Sequence, residues 1–133
     1  MRNRPALESA DVQKMMAACK AEAQKNNWKV TIAIVDDSGA ALLLERMDGA
    51  GPISAEVAMG KARTSAATKR PTKFWEDRVK EKPAFVTFPS GGVLFQGGLP
   101  IMHQGDCVGA IGVSGVQSHE DEQVAQVGIA ALG

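Results

Sequence analysis

The chain has 133 residues, 44% of them hydrophobic, and its 15 Lys plus Arg balance 15 Asp plus Glu to a formal net charge of zero. That length supports one core and one domain, read as spanning residues 1–133, and no biased tract marks a disordered segment. Balanced charge leaves no excess of cations to collect phosphates, which excludes nucleic acid and an anionic membrane surface as partners. The absence of a bilayer-length apolar run and of a signal-peptide-like start reads as a cytoplasmic protein.

From Ser9 to about Asn26, the positions Val12, Met15, Met16, Cys19 and Ala23 recur at helical spacing and predict an amphipathic helix. Val30 to Val35 is a β-branched run that fits a central strand covered on both faces. Asp36-Asp37-Ser38-Gly39 turns the chain, and Ala41 to Arg46 returns as the second strand of a hairpin. Ser54 reads as the N-cap of a helix whose stripe is Ala55, Ala58, Met59, Ala62 and Ala66. So small a stripe admits a close neighbour, so this helix is either tightly docked or part of a subunit interface. Pro71 stops it. Thr72 to Val79 reads as a further short helix, Pro83 to Gly92 as an irregular loop, and Val93-Leu94-Phe95 as another strand.

Gly97 to Gly115 reads as two strands joined at Gln104-Gly105-Asp106. Strand alternation puts Val108, Ala110, Gly112 and Ser114 on one face and Cys107, Gly109, Ile111 and Val113 on the other. The first face is nearly stripped of bulk, so a ligand, a helix or another subunit approaches the backbone there. Ser118-His119-Glu120-Asp121 opens a last helix with Val124, Ala125, Val127, Ile129 and Leu132 on its apolar side. Helices at both ends and in the middle, with hairpins between, give an α+β domain on an antiparallel sheet.

The run Gly109 to Gly115 lacks the strand-to-helix turn and the following acidic strand that a dinucleotide site needs. Ser114 misses the nucleophile elbow because Val116 stands where that pattern requires glycine. Cys19 and Cys107 have no metal or redox spacing and read as reduced core residues; His103 and His119 are too few for a zinc triad. Ser118 with Asp121 matches a helix-capping pattern, which competes with a functional role for Asp121. Lys61 lies near the buried stripe of its helix, where an ammonium needs an anionic partner. Phe74 with Trp75, and Phe85 with Phe88, either cover a flat ligand or close a small core.

Several of these stretches together resemble the GlcG/HbpS family. They are Val30 to Gly39, Arg46-Met47-Asp48-Gly49-Ala50, Lys61-Ala62-Arg63-Thr64, Gly97-Gly98-Leu99-Pro100-Ile101, and Gly109 to Gly115 followed by Asp121-Glu122. The resemblance covers nearly the whole chain. It implies a profilin-like α/β/α sandwich with a five-stranded antiparallel sheet flanked by helices, assembled into homo-oligomers. The family includes haem-binding sensors, the C-terminal domain of the PduO corrinoid adenosyltransferases, and cofactorless lyases acting on hydroxylaminobenzoate. Haem-binding members use a ligand on the first helix or near the pocket. Here that helix has no histidine, and Met15, Met16 and Cys19 belong by spacing to its core-facing stripe.

The expected function is therefore binding of haem or another planar molecule bearing a carboxylate. The ligand-binding residues are Lys61, Gly98, Pro100, Ser114 and Gly115. The resemblance places Lys61 in the same cleft as the Gly97–Pro100 turn, so that its ammonium meets a carboxylate seated at the 114–118 segment, where a helix N-terminus favours an anion. Two alternatives stand beside it. One is a cofactor-independent lyase or isomerase of aromatic or hydroxy-acid catabolism, in which Lys61, Asp121, Ser114 and His119 move protons. The other is an oligomeric accessory protein. No metal site is expected.

Overall fold

The computed structural model describes residues 1–89 and 92–133. In chain order its elements are α1 (Ser9–Lys25), β1 (Thr31–Asp36), β2 (Ala41–Arg46), α2 (Ile53–Thr68), α3 (Thr72–Glu81), a 3-10 turn (Pro83–Thr87), β3 (Gly98–His103), β4 (Asp106–Ser114) and α4 (Ser118–Leu132). The strands form one antiparallel sheet in the order β2-β1-β4-β3, so the two hairpins lie side by side with β1 and β4 central. Both turns follow from local chemistry. The Asp36 carboxylate accepts hydrogen bonds from Ser38 N–H, Ser38 Oγ–H and Ala40 N–H, while Gly39 takes the positive φ. Gln104 and Gly105 both have positive φ, the conformation of a two-residue turn whose twist matches its strands.

The two faces of the sheet are built differently. Ile32, Ile34, Ile111 and Val113 project toward α1 and α4 and form the larger core with Val12, Met15, Met16, Cys19, Ile101, Val108, Val124 and Ala125. On the other face, Ala33, Val35 and Ala110 meet Ala58, Ala62 and Ala66 of α2. The α-helix pressing on that face explains the stripped strand: a Cβ at Gly112 would collide with the Ala58 carbonyl and lie 2.6 Å from Ala62 N. The close neighbour predicted for the alanine stripe is thus the chain's own sheet.

Four corrections to the sequence reading have physical causes. The sheet has four strands among the described residues, because Val93-Leu94-Phe95 forms none. Val93 N–H donates to Gly60 O of α2 at 3.2 Å, and Gln96 N–H to Glu76 Oε1 at 3.1 Å, so this segment's backbone is tied to helices. The strict alternation assigned to β4 breaks at Val108. Ile101 pairs with Gly109 but Met102 with Cys107, and this bulge turns Val108 to the α1/α4 side, where it joins Ile111. The N-cap of α2 is Pro52, two residues earlier than expected; Ser54 lies inside the helix and its hydroxyl bonds to Thr31 Oγ1 and Gly51 O. The expected loop over 83–92 begins as a 3-10 turn at Pro83–Thr87, and its residues 90 and 91 lie outside the described residues.

The expected aromatic pairs pack on one another. Trp75 stacks on Phe88 at 4.7 Å between centroids, meets Phe74 edge-on and Phe85 at a tilt, and donates its indole N–H to Thr68 Oγ1 at 3.0 Å. Among the described residues no helix is long and apolar enough to cross a membrane.

Candidate functional site

Two regions hold the chemistry, and α2 carries both. The first lies at the middle of its inner side. Lys61 is a cation with 1% of its surface exposed; its aliphatic stem runs past Gly97, and Gly98 lies against its backbone carbonyl. Its Nζ donates to the Val113 carbonyl at 2.9 Å and to Asp121 Oδ2 at 3.1 Å, and the Phe95 ring lies 4.9 Å away. Asp121, itself 2% exposed, accepts the Val116 N–H on its other oxygen at 3.1 Å. The position that the sequence reading gives to a ligand's carboxylate, between Lys61 and the 114–118 segment, is taken by the carboxylate of Asp121.

This arrangement depends on glycine at two places. Gly97 has φ +134°, and a Cβ there would lie 2.8 Å from the Val113 carbonyl oxygen and against the Lys61 ammonium. A Cβ at Gly98 would lie 2.9 Å from Thr72 Cγ2, and the Gly98 N–H instead donates to Thr72 Oγ1 at 2.8 Å. Burial pushes the Lys61 ammonium below its ordinary range and the Asp121 carboxyl above its own, each opposed by the other's charge. Such a pair is costly to bury and more costly to break, because removing one partner leaves the other charge unpaired in a dry place. Its clearest consequence is geometric: it fastens α2, the end of β4 and the first turn of α4 at one point.

Asp121 is free for this role because capping is done by its neighbours. Gln117 is the N-cap of α4, and Glu120 accepts the Gln117 N–H at 3.2 Å. The remaining expected residues do not converge on Lys61. Ser114 ends β4 half-buried, Gly115 and His119 are exposed, and Pro100 pairs with Ala110 within the sheet. His103 is exposed at the end of β3. Met15, Met16 and Cys19 are enclosed in the α1/α4 core, and burial pushes the Cys19 thiol up to about 12. Among the described residues, no group of three or more His, Cys, Asp or Glu is placed to hold a metal ion.

The second region was not read from the sequence. Along the outer side of α2 runs an open cleft of about 680 Å³, walled by Leu44 of β2, by Ile53, Val57 and Met59 of α2, and by Val93. That volume lies inside the 300–1,000 Å³ usual for small-molecule sites. Two charged side chains line it, Glu56 and Arg63. They are seven residues apart on α2, hence on one face two turns from each other, so the cleft is acidic toward the start of the helix and basic toward its end. Neither enters an ion pair among the described residues. The signal existed in the sequence as the charged pair Glu56 and Arg63 on one helix face, but charges spaced this way are also what a solvated helix face looks like.

Comparison with known proteins places this geometry. The protein GlcG of Escherichia coli K12 is 44% identical over 115 residues, covering 86% of this chain and 85% of GlcG. A crystal structure of HbpS superposes with a TM-score of 0.92 at 34% identity, covering 100% of this chain and 94% of that one. The crystallised complex of the PduO C-terminal domain with haem gives 0.89 at 30% identity, with 96% and 95% covered. In sequence the chain matches the Salmonella typhimurium corrinoid adenosyltransferase PduO at 33% identity but spans only 39% of its length. The family described as haem degrading protein HbpS-like matches residues 7–130, and the chain belongs to this HbpS-like family.

Proposed function

We propose that this protein binds a small, planar, carboxylate-bearing molecule, with haem as the first member of that class to test, in the cleft along the outer side of α2. The observation that carries the reading is the cleft's composition: mostly apolar lining with one guanidinium, Arg63, and one carboxylate, Glu56, two turns apart, neither in an ion pair among the described residues. A porphyrin asks for the same pattern, a flat apolar body with acidic groups on one edge. Arg63 is the cation for that edge, and Glu56 repels it from the other end, so the two residues orient the ligand. The relatives support haem as ligand: HbpS gives the family its description, and the PduO domain was crystallised with haem. When bound, haem would supply a redox-active iron, and this chain's residues would supply the walls and the cation.

Titrating hemin and metal-free protoporphyrin IX into wild type and Arg63→Gln tests the reading. Both ligands bind wild type, and Arg63→Gln weakens both by about fivefold, the worth of one partly exposed charge pair. Equal affinities in the two proteins would remove Arg63 from the site.

A second reading is favoured by one observation, the buried Lys61–Asp121 pair with its opposed shifts, a pattern that recurs where protons are moved. It is the cofactor-independent lyase or isomerase. Turnover of hydroxylaminobenzoate by metal-free protein, lost in Asp121→Asn, would establish it.

The reading also takes the protein as a homo-oligomer. The free edges of β2 and β3 each carry an exposed apolar side chain, Leu42 and Met102, beside unpaired strand backbone. Light scattering at micromolar concentration that finds only monomer would overturn this part.

A further inference from the structure

We propose that a second copy of this chain packs on the outer side of α2, helix against helix and antiparallel, with Glu56 of each copy meeting Arg63 of the other across a two-fold axis. The charges carry the argument. Glu56 and Arg63 are exposed, and neither has an ion-pair partner among the described residues. Seven residues put them on one face of α2 but about 10 Å apart along its axis, too far to pair with each other within one chain.

An isologous interface has to be complementary to itself: if one residue of the first copy meets another of the second, the reverse contact forms as well. A two-fold axis through the midpoint of this pair, at the level of Met59 and Gly60, brings the acid of each copy to the base of the other. Two like charges in the same positions would forbid that arrangement. The apolar part of the patch agrees. Ile53 and Leu44 line the cleft with 66% and 39% of their surface exposed, and the half-buried Val57 and Met59 fall between Glu56 and Arg63. A second copy removes this apolar surface from water on both chains at once, while the charges at the two ends fix the register. The contact is made by a helix face and is separate from the strand edges of β2 and β3.

One consequence concerns the ligand, and it alone rests on the reading of the cleft as the ligand site. Glu56 of the second copy and the ligand's carboxylate compete for the same guanidinium and the same walls. Ligand binding and self-association therefore oppose each other, each weakening the other by the same factor.

Sedimentation velocity at micromolar concentration tests the pairing on wild type, Glu56→Arg, Arg63→Glu, the double variant, and an equimolar mixture of the two single variants. Both side chains are exposed, so the variants keep the fold, and circular dichroism checks it. Each single reversal sets like charges against each other at two symmetry-related places and should raise the dissociation constant of the pair about tenfold or more. The double variant and the mixture both restore opposite charges at both places and should pair as wild type does. Single variants that pair as tightly as wild type would overturn the proposal, as would a mixture no tighter than its components or a monomeric wild type. Each of these results leaves the ligand reading to the hemin titration of Arg63→Gln. Hemin should also dissociate the wild-type pair. A pair that persists at saturating hemin, with the charge reversals behaving as expected, would keep the interface and move the ligand out of the cleft.

Discussion

The two faces of the sheet solve the same packing problem by opposite means. Toward α1 and α4, Ile32, Ile34, Ile111 and Val113 reach out and fill space, and the helices stand off at the distance those side chains set. Toward α2, Ala33, Ala110 and Gly112 reach out hardly at all, and α2 comes in until its backbone touches the strand. A bulky interface gains stability from buried apolar area, at roughly 25 cal/mol per Å². A close interface gains less area but fixes position more tightly, because nothing flexible lies between helix and strand. The α2 side is accordingly where the molecule keeps its polar work: the ion pair under the helix and the cleft outside it.

The sharpest way to break this division is to halve the ion pair. Lys61→Met leaves the Asp121 carboxylate buried without its cation, and a loss of about 3–5 kcal/mol is expected in urea unfolding. Lys61→Met combined with Asp121→Leu should recover most of that loss. If the single substitution costs less than about 1 kcal/mol, the pair behaves like a surface contact and does not hold α2 to α4.

A second pair of changes sharpens the contrast between bulk and closeness. Deleting volume should hurt the bulky side: Ile111→Ala is expected to cost about 2–5 kcal/mol through lost contact and a cavity. Adding volume should hurt the close side: Gly112→Ala, one methyl group, is expected to cost about 1–3 kcal/mol because the Cβ meets the backbone of α2, which cannot rotate away. Denaturant midpoints of the two variants give the comparison, and a neutral Gly112→Ala would mean that α2 yields easily.

The smallest effect belongs to the hairpin turn that starts the sheet. Hydrogen bonds from Ser38 and Ala40 hold the Asp36 carboxyl below the usual aspartate range. A depressed acid contributes stability above its unfolded value, near 3.9, and loses it as the pH falls through the lower folded value. Wild type and Asp36→Ala should therefore differ in urea midpoint at pH 7 and converge below about pH 4. A gap that stays constant with pH would assign the effect to turn propensity alone.

The sequence made the frame legible where its signals were periodic. The stripe from Val12 to Ala23, the β-branched run at Val30 to Val35 and the Gln104-Gly105 turn each name one structure, and each is found. The stretch Val93 to Phe95 misled because three apolar residues read equally as a strand or as a cover; only the tertiary partners Gly60 and Glu76 decide which. Val108 misled because a bulge inverts alternation without any mark in its own residues. At the site, the need of Lys61 for an anion was legible, but its identity was not. Asp121 looked like a cap until Gln117 and Glu120 took that role. The outer cleft was illegible because two of its walls, Leu44 and Val93, come from segments distant in sequence.

The central claim is that the ligand occupies the outer cleft while Lys61 and Asp121 form the frame beneath it. Hemin titrated into Val57→Trp and into Lys61→Met/Asp121→Leu, each folded by circular dichroism, tests it most directly. The account predicts that filling the cleft abolishes binding and that replacing the ion pair leaves affinity within about twofold of wild type, since the substitution touches no wall of the cleft. Binding retained in Val57→Trp but lost in the Lys61→Met/Asp121→Leu protein would contradict it and return the ligand to Lys61.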